Sequence, residues 1–265
     1  MHICLPHPYR PDTVYDDCGT RSIDDKSYSL RESADGPAES RVYDAAMPLA
    51  LLAQLGDCEA IRGGWLAQPV NAWSSLAFSV VGLAIAMSAG AAMGRERIDR
   101  LVFGVLLVAT GMGSVLFHGP QPPSGQFLHD VTFLGAMWFL ISANLTGAFS
   151  LSDPYSRIVE GAGIAVIAVI IGFAPGAANT LAAIGAIGLI VADFVLRRVS
   201  APSLWWYITA LGALVIGGGL FLAGRTGSPL CDATALWQAH AGWHVLAAVF
   251  LGSYFFATAP ARTGT

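Results

Sequence analysis

From Pro69 to Thr258 the sequence is a succession of apolar runs, each close to the roughly 20 residues that a helix needs to cross a bilayer. Such runs leave few folds open. With no water in the hydrocarbon to satisfy backbone polar groups, a chain built from them must form helices or a closed barrel. The predicted spans cover about 69 to 89, 99 to 118, 127 to 149, 157 to 174, 178 to 196, 204 to 223 and 237 to 258. Arg95, Arg97 and Arg100 punctuate the first connection, and Gly119-Pro120-Gln121-Pro122-Pro123-Ser124-Gly125 the second, where a helix cannot continue. Asp153-Pro154, Pro175-Gly176 and Arg197-Arg198 break the chain further on. Only 12% of residues are charged, against roughly 25% in soluble domains, so most of the chain faces lipid or other apolar helices. Thirty glycines and few alternating runs suit packed helices better than a barrel. The fold class is all-α, a polytopic membrane protein with a seven-helix transmembrane bundle. A formal charge of −4 without a basic cluster excludes nucleic acid as a partner.

Residues 1–46 are polar, without the basic and apolar regions of a signal peptide. They read as a disordered tail, or as a start assigned too early ahead of Met47-Pro48-Leu49. Residues 47–68 form an approach segment, 69–258 the seven-helix domain and 259–265 a tail. Arginine bias sets the orientation. The odd connections and the C-terminal tail hold Arg95, Arg97, Arg100, Arg157, Arg197, Arg198 and Arg262, while the opposite side holds only Arg62 and Arg225 near the spans. The N-terminus is therefore expected outside, with the approach segment, and the C-terminus in the cytoplasm. Cys58 and Cys231 both fall on the outer side, where thiols can oxidise, and are expected to form a disulfide.

The last span opens with Gln238-Ala239-His240-Ala241-Gly242-Trp243-His244. Two histidines four apart share a helix face, and ionisable residues in a membrane helix mark function by default. Under the predicted topology His118, at the end of span two, and His129-Asp130, at the start of span three, lie on the same side of the membrane. Three imidazoles and a water make the ligand set of an open, hydrolytic zinc site. Ser114 precedes His118 by four residues, on the same face, and either supports the water, donates to an oxyanion, or serves as a small residue for helix packing. Asp130 reads as general base or as partner to a ligand histidine, and His129 as a further ligand or relay. Asn71 and Ser74 face either this site or a neighbouring helix. Asp193 is expected to pair with Arg197, and Glu160 to reach the interface.

Ser114-x3-His118, a following acid and His240-x3-His244 resemble the alkaline ceramidase family, within a wider group of seven-span hydrolases that includes the adiponectin receptors. Gly111-Met112-Gly113-Ser114-Val115-Leu116-Phe117-His118 carries the likeness, as do Asp57-Cys58-Glu59, Asn71 and Ser74-Ser75. The resemblance implies a zinc ion held by His118, His240 and His244, with Ser114 and an acid around the attacking water. It also implies cleavage of the ceramide amide into sphingoid base and fatty acid. In the family the acid directly follows a Gln-apolar-apolar stretch, whereas here Gln126-Phe127-Leu128 is followed by His129 and then Asp130. The family's calcium ligands are matched only by Glu59, with Ile61 and Gln68 at other positions, so no calcium site is expected. The expected function is a zinc-dependent hydrolase of a lipid amide, its acyl chain lying among side chains such as Phe117, Phe133, Met137, Trp138 and Phe250. The competing readings are a seven-span lipid sensor with a structural zinc, closed by His129, and a transporter with a histidine proton path. The scarcity of ionisable residues in mid-span argues against the transporter.

Overall fold

Seven helices long and apolar enough to cross a membrane follow one another in the computed structural model, which describes residues 56–196 and 203–263, with side chains to Asp193 and from Ser203 to Thr258. They are α1 (Pro69–Ala91), α2 (Gly94–His118), α3 (Pro123–Ala148), α4 (Asp153–Phe173), α5 (Ala178–Leu196), α6 (Leu204–Ala223) and α7 (Ala239–Thr263). Among the described residues there is no strand in a sheet, only one isolated bridge between Asp57 and Arg225. This is the architecture of a multi-pass membrane protein. The expectations for residues 1–46 and for Arg197, the partner expected for Asp193, lie outside the described residues.

Packing follows from which faces are apolar on all sides. α3 and α7 are mostly buried, whereas α4, α5 and α6 expose Val166, Val169, Ile184, Ile187, Val215 and Ile216. Such a continuous apolar surface has lipid, not water, as its solvent. α4 and α5 pack on α3, α6 packs on α7, and α1 lies against both α2 and α7. Between α2, α3 and α7 the Phe103 ring stacks on Phe255 at 4.7 Å and tilts against Phe139 at 5.4 Å. Dispersion at such contacts, not apolar transfer, holds helices together where lipid is the alternative neighbour.

Several boundaries differ from expectation. Proline is tolerated in a helix's first turn, where its missing N–H has no intrahelical partner anyway. Pro123 accordingly starts α3, and the connection before it is shorter than the sequence suggests. Pro154 likewise lies inside the first turn of α4. Arg95, Arg97 and Arg100 belong to the first turns of α2, not to a connection. At the other end α7 continues to Thr263, into the stretch expected to be tail.

Glycines set how closely α2 can approach its neighbours. A Cβ on Gly82 would lie 2.6 Å from the Gly104 carbonyl, and one on Gly104 would lie 2.7 Å from the Gly82 carbonyl, so α1 and α2 cross backbone to backbone. Near the end of α2, Gly111 faces Ser75 and Ser79 of α1, while a Cβ on Gly113 would sit 2.6 Å from the backbone nitrogen of His129 on α3. These two glycines draw three helices together within about two turns of His118. Because the atoms in the way at Gly113 are backbone, G113A is expected to cost about 1–3 kcal/mol, seen as a lowered Tm. G90A, with open space around it, should leave Tm unchanged.

Candidate metal centre

His240 and His244 occupy the first two turns of α7, and their spacing puts both rings on one face, with centroids 4.6 Å apart. His118 is the last residue of α2, and its ring lies 5.4 Å from that of His240 and 5.0 Å from that of His244. One ligand atom from each of the three lies within 4.8 Å of the others. The residues are 1%, 6% and 1% exposed for His118, His240 and His244. The three histidines expected from the sequence thus converge, and His129 is not part of the group.

Hydrogen-bond partners lie at Nδ1 of His118 and of His244 and leave Nε2 of both without one. Ser74 Oγ lies 3.0 Å from the Asn71 carbonyl and 2.9 Å from His244 Nδ1, within hydrogen-bond reach of both. The buried Nε2 of His244 has no protein partner. The Gln68 amide donates through Nε2 to the Glu59 carbonyl at 2.8 Å, which turns Oε1 toward His118 Nδ1 at 2.7 Å. A carboxamide oxygen only accepts, so His118 is protonated on Nδ1, leaving Nε2 buried and without a partner. Asp57 Oδ1 lies 3.3 Å from His240 Nδ1, off the line of a hydrogen bond, and Oδ2 lies 3.7 Å from His118 Nδ1. At His118 the nearer Gln68 is the partner. A ligand histidine characteristically donates its second N–H to a protein oxygen, and each of these rings turns Nδ1 toward one. The residues fit a metal ion. Three imidazole nitrogens suit zinc, copper, iron or nickel, so the donor set alone does not choose among them.

The segment before α1 supplies these partners because it is bound on two sides. Glu59 spends both carboxylate oxygens on α1, accepting from the backbone nitrogens of Val70 at 2.9 Å and Asn71 at 2.8 Å. A carboxylate there satisfies orphan N–H groups and suits the positive end of the helix. Ala67 and Gln68 donate backbone hydrogen bonds to Gly119 and His118 at 3.0 and 2.8 Å. Cys58 and Cys231 form the expected disulfide. Beside it Asp57 pairs with Arg225 at 2.5 Å, and the guanidinium lies 3.9 Å above the Phe221 ring. Burial pushes the Arg225 guanidinium below its ordinary value, and Asp57 pulls it back up.

Ser114 is fully buried and lies 2.7 Å from Ser75 Oγ. Ser75 donates to the Asn71 carbonyl at 2.7 Å, so Ser114 gives its proton to Ser75 and keeps lone pairs to offer. This arrangement favours accepting from a water over donating to an oxyanion. Asp130 is buried, with Oδ1 2.8 Å from His129 Nδ1 and Oδ2 without a partner. His129 itself stacks between Phe117 at 5.9 Å and Phe133 at 6.1 Å. The Asn71 side chain is fully buried, and neither atom of its carboxamide has a partner. Of the other acyl-chain candidates, Met137 and Phe250 belong to the buried core, while Trp138 donates to the Val159 carbonyl at 3.2 Å. Sequence reasoning did not assign Gln68, Ser75, Asp57 or Arg225 to the histidines. The signals available were the family likeness, for Asp57 and Ser75, and Arg225 itself, one of two arginines near the spans on the arginine-poor side.

Comparisons with family models, with curated proteins and with solved structures find no match for this chain.

Proposed function

We propose that this chain is a zinc-dependent intramembrane hydrolase that cleaves the amide of a membrane lipid, in the manner implied by its resemblance to alkaline ceramidases. The buried group of His118, His240 and His244, with Nε2 of His118 and His244 free, carries the proposal. A zinc ion held there would supply an acidified water and a Lewis acid for the acyl carbonyl. His129 has its Nδ1 on Asp130 and lies outside the group, which favours an open site over a closed, structural one.

The chain's own groups then divide the work. The free Oδ2 of Asp130 would take a proton from the attacking water and return it to the departing amine, while His129 holds the other oxygen. Ser114 would orient that water by accepting from it. Asn71 offers a donor and an acceptor on one buried carboxamide, the complement of an amide N–H and C=O. Removal of the Cγ oxygen charge alone should separate chemistry from metal binding. D130N is expected to retain one zinc per chain while kcat falls about 10²–10⁴-fold, with little change in KM.

The test is metal analysis of purified protein together with hydrolysis of a panel of amide and ester lipids. One zinc per chain with release of fatty acid from an acyl amide supports the proposal. Zinc without turnover on any lipid would leave a sensor with a structural metal. Arg95, Arg97, Arg100 and Arg157 lie at the end of the bundle away from the histidines, which supports an active site near the extracytoplasmic face. A disulfide on the histidine side agrees with an oxidising compartment there.

A further inference from the structure

Two of the three histidines meet neutral groups, the carboxamide of Gln68 and the hydroxyl of Ser74. The third, His240, meets a carboxylate. Asp57 reaches toward it from the approach segment, with Oδ1 bound to Arg225 at 2.5 Å and 3.3 Å from His240 Nδ1, out of line for a hydrogen bond. Both carboxylate oxygens face the site, since Oδ2 lies 3.7 Å from His118 Nδ1.

We infer that Asp57 is the positioning residue for His240, and that Arg225 holds its carboxylate in that role. A carboxylate on the distal N–H of a ligand imidazole fixes the ring's orientation and raises its basicity toward the metal. Buried alone, that charge would be costly, so it needs a cation beside it. Arg225 supplies one, and the Phe221 ring beneath it sets the guanidinium's height.

The rival role, that the ion pair merely pins the loop before α7, leaves the pair redundant. The same two segments are already joined by the Cys58–Cys231 disulfide and by Cys58 N to Gly224 O at 2.8 Å, Thr226 N to Gly56 O at 2.9 Å and Ala60 N to Ala233 O at 2.9 Å. Thr226 Oγ1 adds a bond to the Asp57 carbonyl at 3.1 Å. A segment held so firmly has no need of a further buried ion pair, whose desolvation offsets much of its attraction.

The inference rests on the metal-site reading and not on the choice of lipid. It is tested on the full chain in detergent by competition for zinc with a chromophoric chelator and by the ligand-field absorption of the Co²⁺-loaded protein. D57N is expected to weaken zinc binding ~10–100-fold and to shift the Co²⁺ bands. C58S/C231S, which cuts the same loop without touching the carboxylate, should lower Tm and leave those bands in place. Should D57N fail to fold, R225K carries the test, since it keeps the charge but loses the planar fork, and it should shift the bands in the same direction by less. Wild-type affinity and bands in D57N, or in R225K where D57N does not fold, would overturn the inference, as would a C58S/C231S variant that reproduces the D57N spectrum. A wild-type chain that binds neither zinc nor Co²⁺ would instead overturn the metal reading beneath it.

Discussion

His244→Ala is expected to abolish stoichiometric zinc binding and lipid hydrolysis together. Outer partners of a metal ligand typically cost ~10–100-fold in affinity or activity when removed. Loss of one of three ligands should exceed that range, because two imidazoles remain on a buried site with no protein group to replace the third. His244 is the sharpest choice among the three. Its Nδ1 is tied to Ser74, and Ser75 lies 3.4 Å away. Truncation thus also strands hydroxyls that the α1 backbone has already oriented. The measurement is zinc per chain by elemental analysis beside fatty acid release, with the Tm of the zinc-free protein as the control for folding. Full zinc occupancy in H244A would move the centre elsewhere.

The second large effect is expected at the far end of the bundle. Asp99→Ala should lower stability by about 3 kcal/mol, the lower end of the range for breaking a buried ion pair. Asp99 is buried on α2, where it accepts from Arg157 of α4 and lies 3.9 Å from Arg95. Its removal leaves two arginines beside an apolar space. Each keeps one other acidic partner, Glu160 at 2.7 Å for Arg157 and Asp153 at 2.9 Å for Arg95, which is why the lower end applies. Glu160 is buried in this network rather than reaching the interface as its position in the sequence suggests. Zinc affinity should be unchanged, since the network lies a full helix length from His118. A Tm shift in the wild-type range for D99A would mean that these charges are solvated, and not part of the bundle's interior.

The number of spans and the membrane setting were legible because they depend on run length and composition, which no tertiary contact alters. Boundaries were less so. Pro123 and Pro154 read as breaks because proline cannot sit inside a helix, yet both serve as helix starts, where its missing donor is harmless. Arg95 and Arg100 read as loop for the same kind of reason. In the fold Arg100 pairs with Glu96 one turn away at 2.5 Å and Arg95 with Asp153 across helices, so their charge is accommodated within α2.

The candidate site divides along the same line. His240 and His244 announced themselves by a spacing that the helix alone converts into a shared face, and His118 and Asp130 by falling at corresponding ends of their spans. Those features were determined by the sequence, because local periodicity and span order suffice to place them at one end of a bundle. Which protein oxygen each histidine ring faces was decided only by the tertiary structure. Gln68, Ser74, Ser75, Asp57 and Arg225 come from three separate stretches of chain, and no spacing rule relates them. They meet the rings because the approach segment is stapled to the loop before α7 and capped onto α1, and because Gly111 and Gly113 let α1, α2 and α3 close within backbone contact. Convergence of that kind is a property of packing, which the order of residues along the chain does not display.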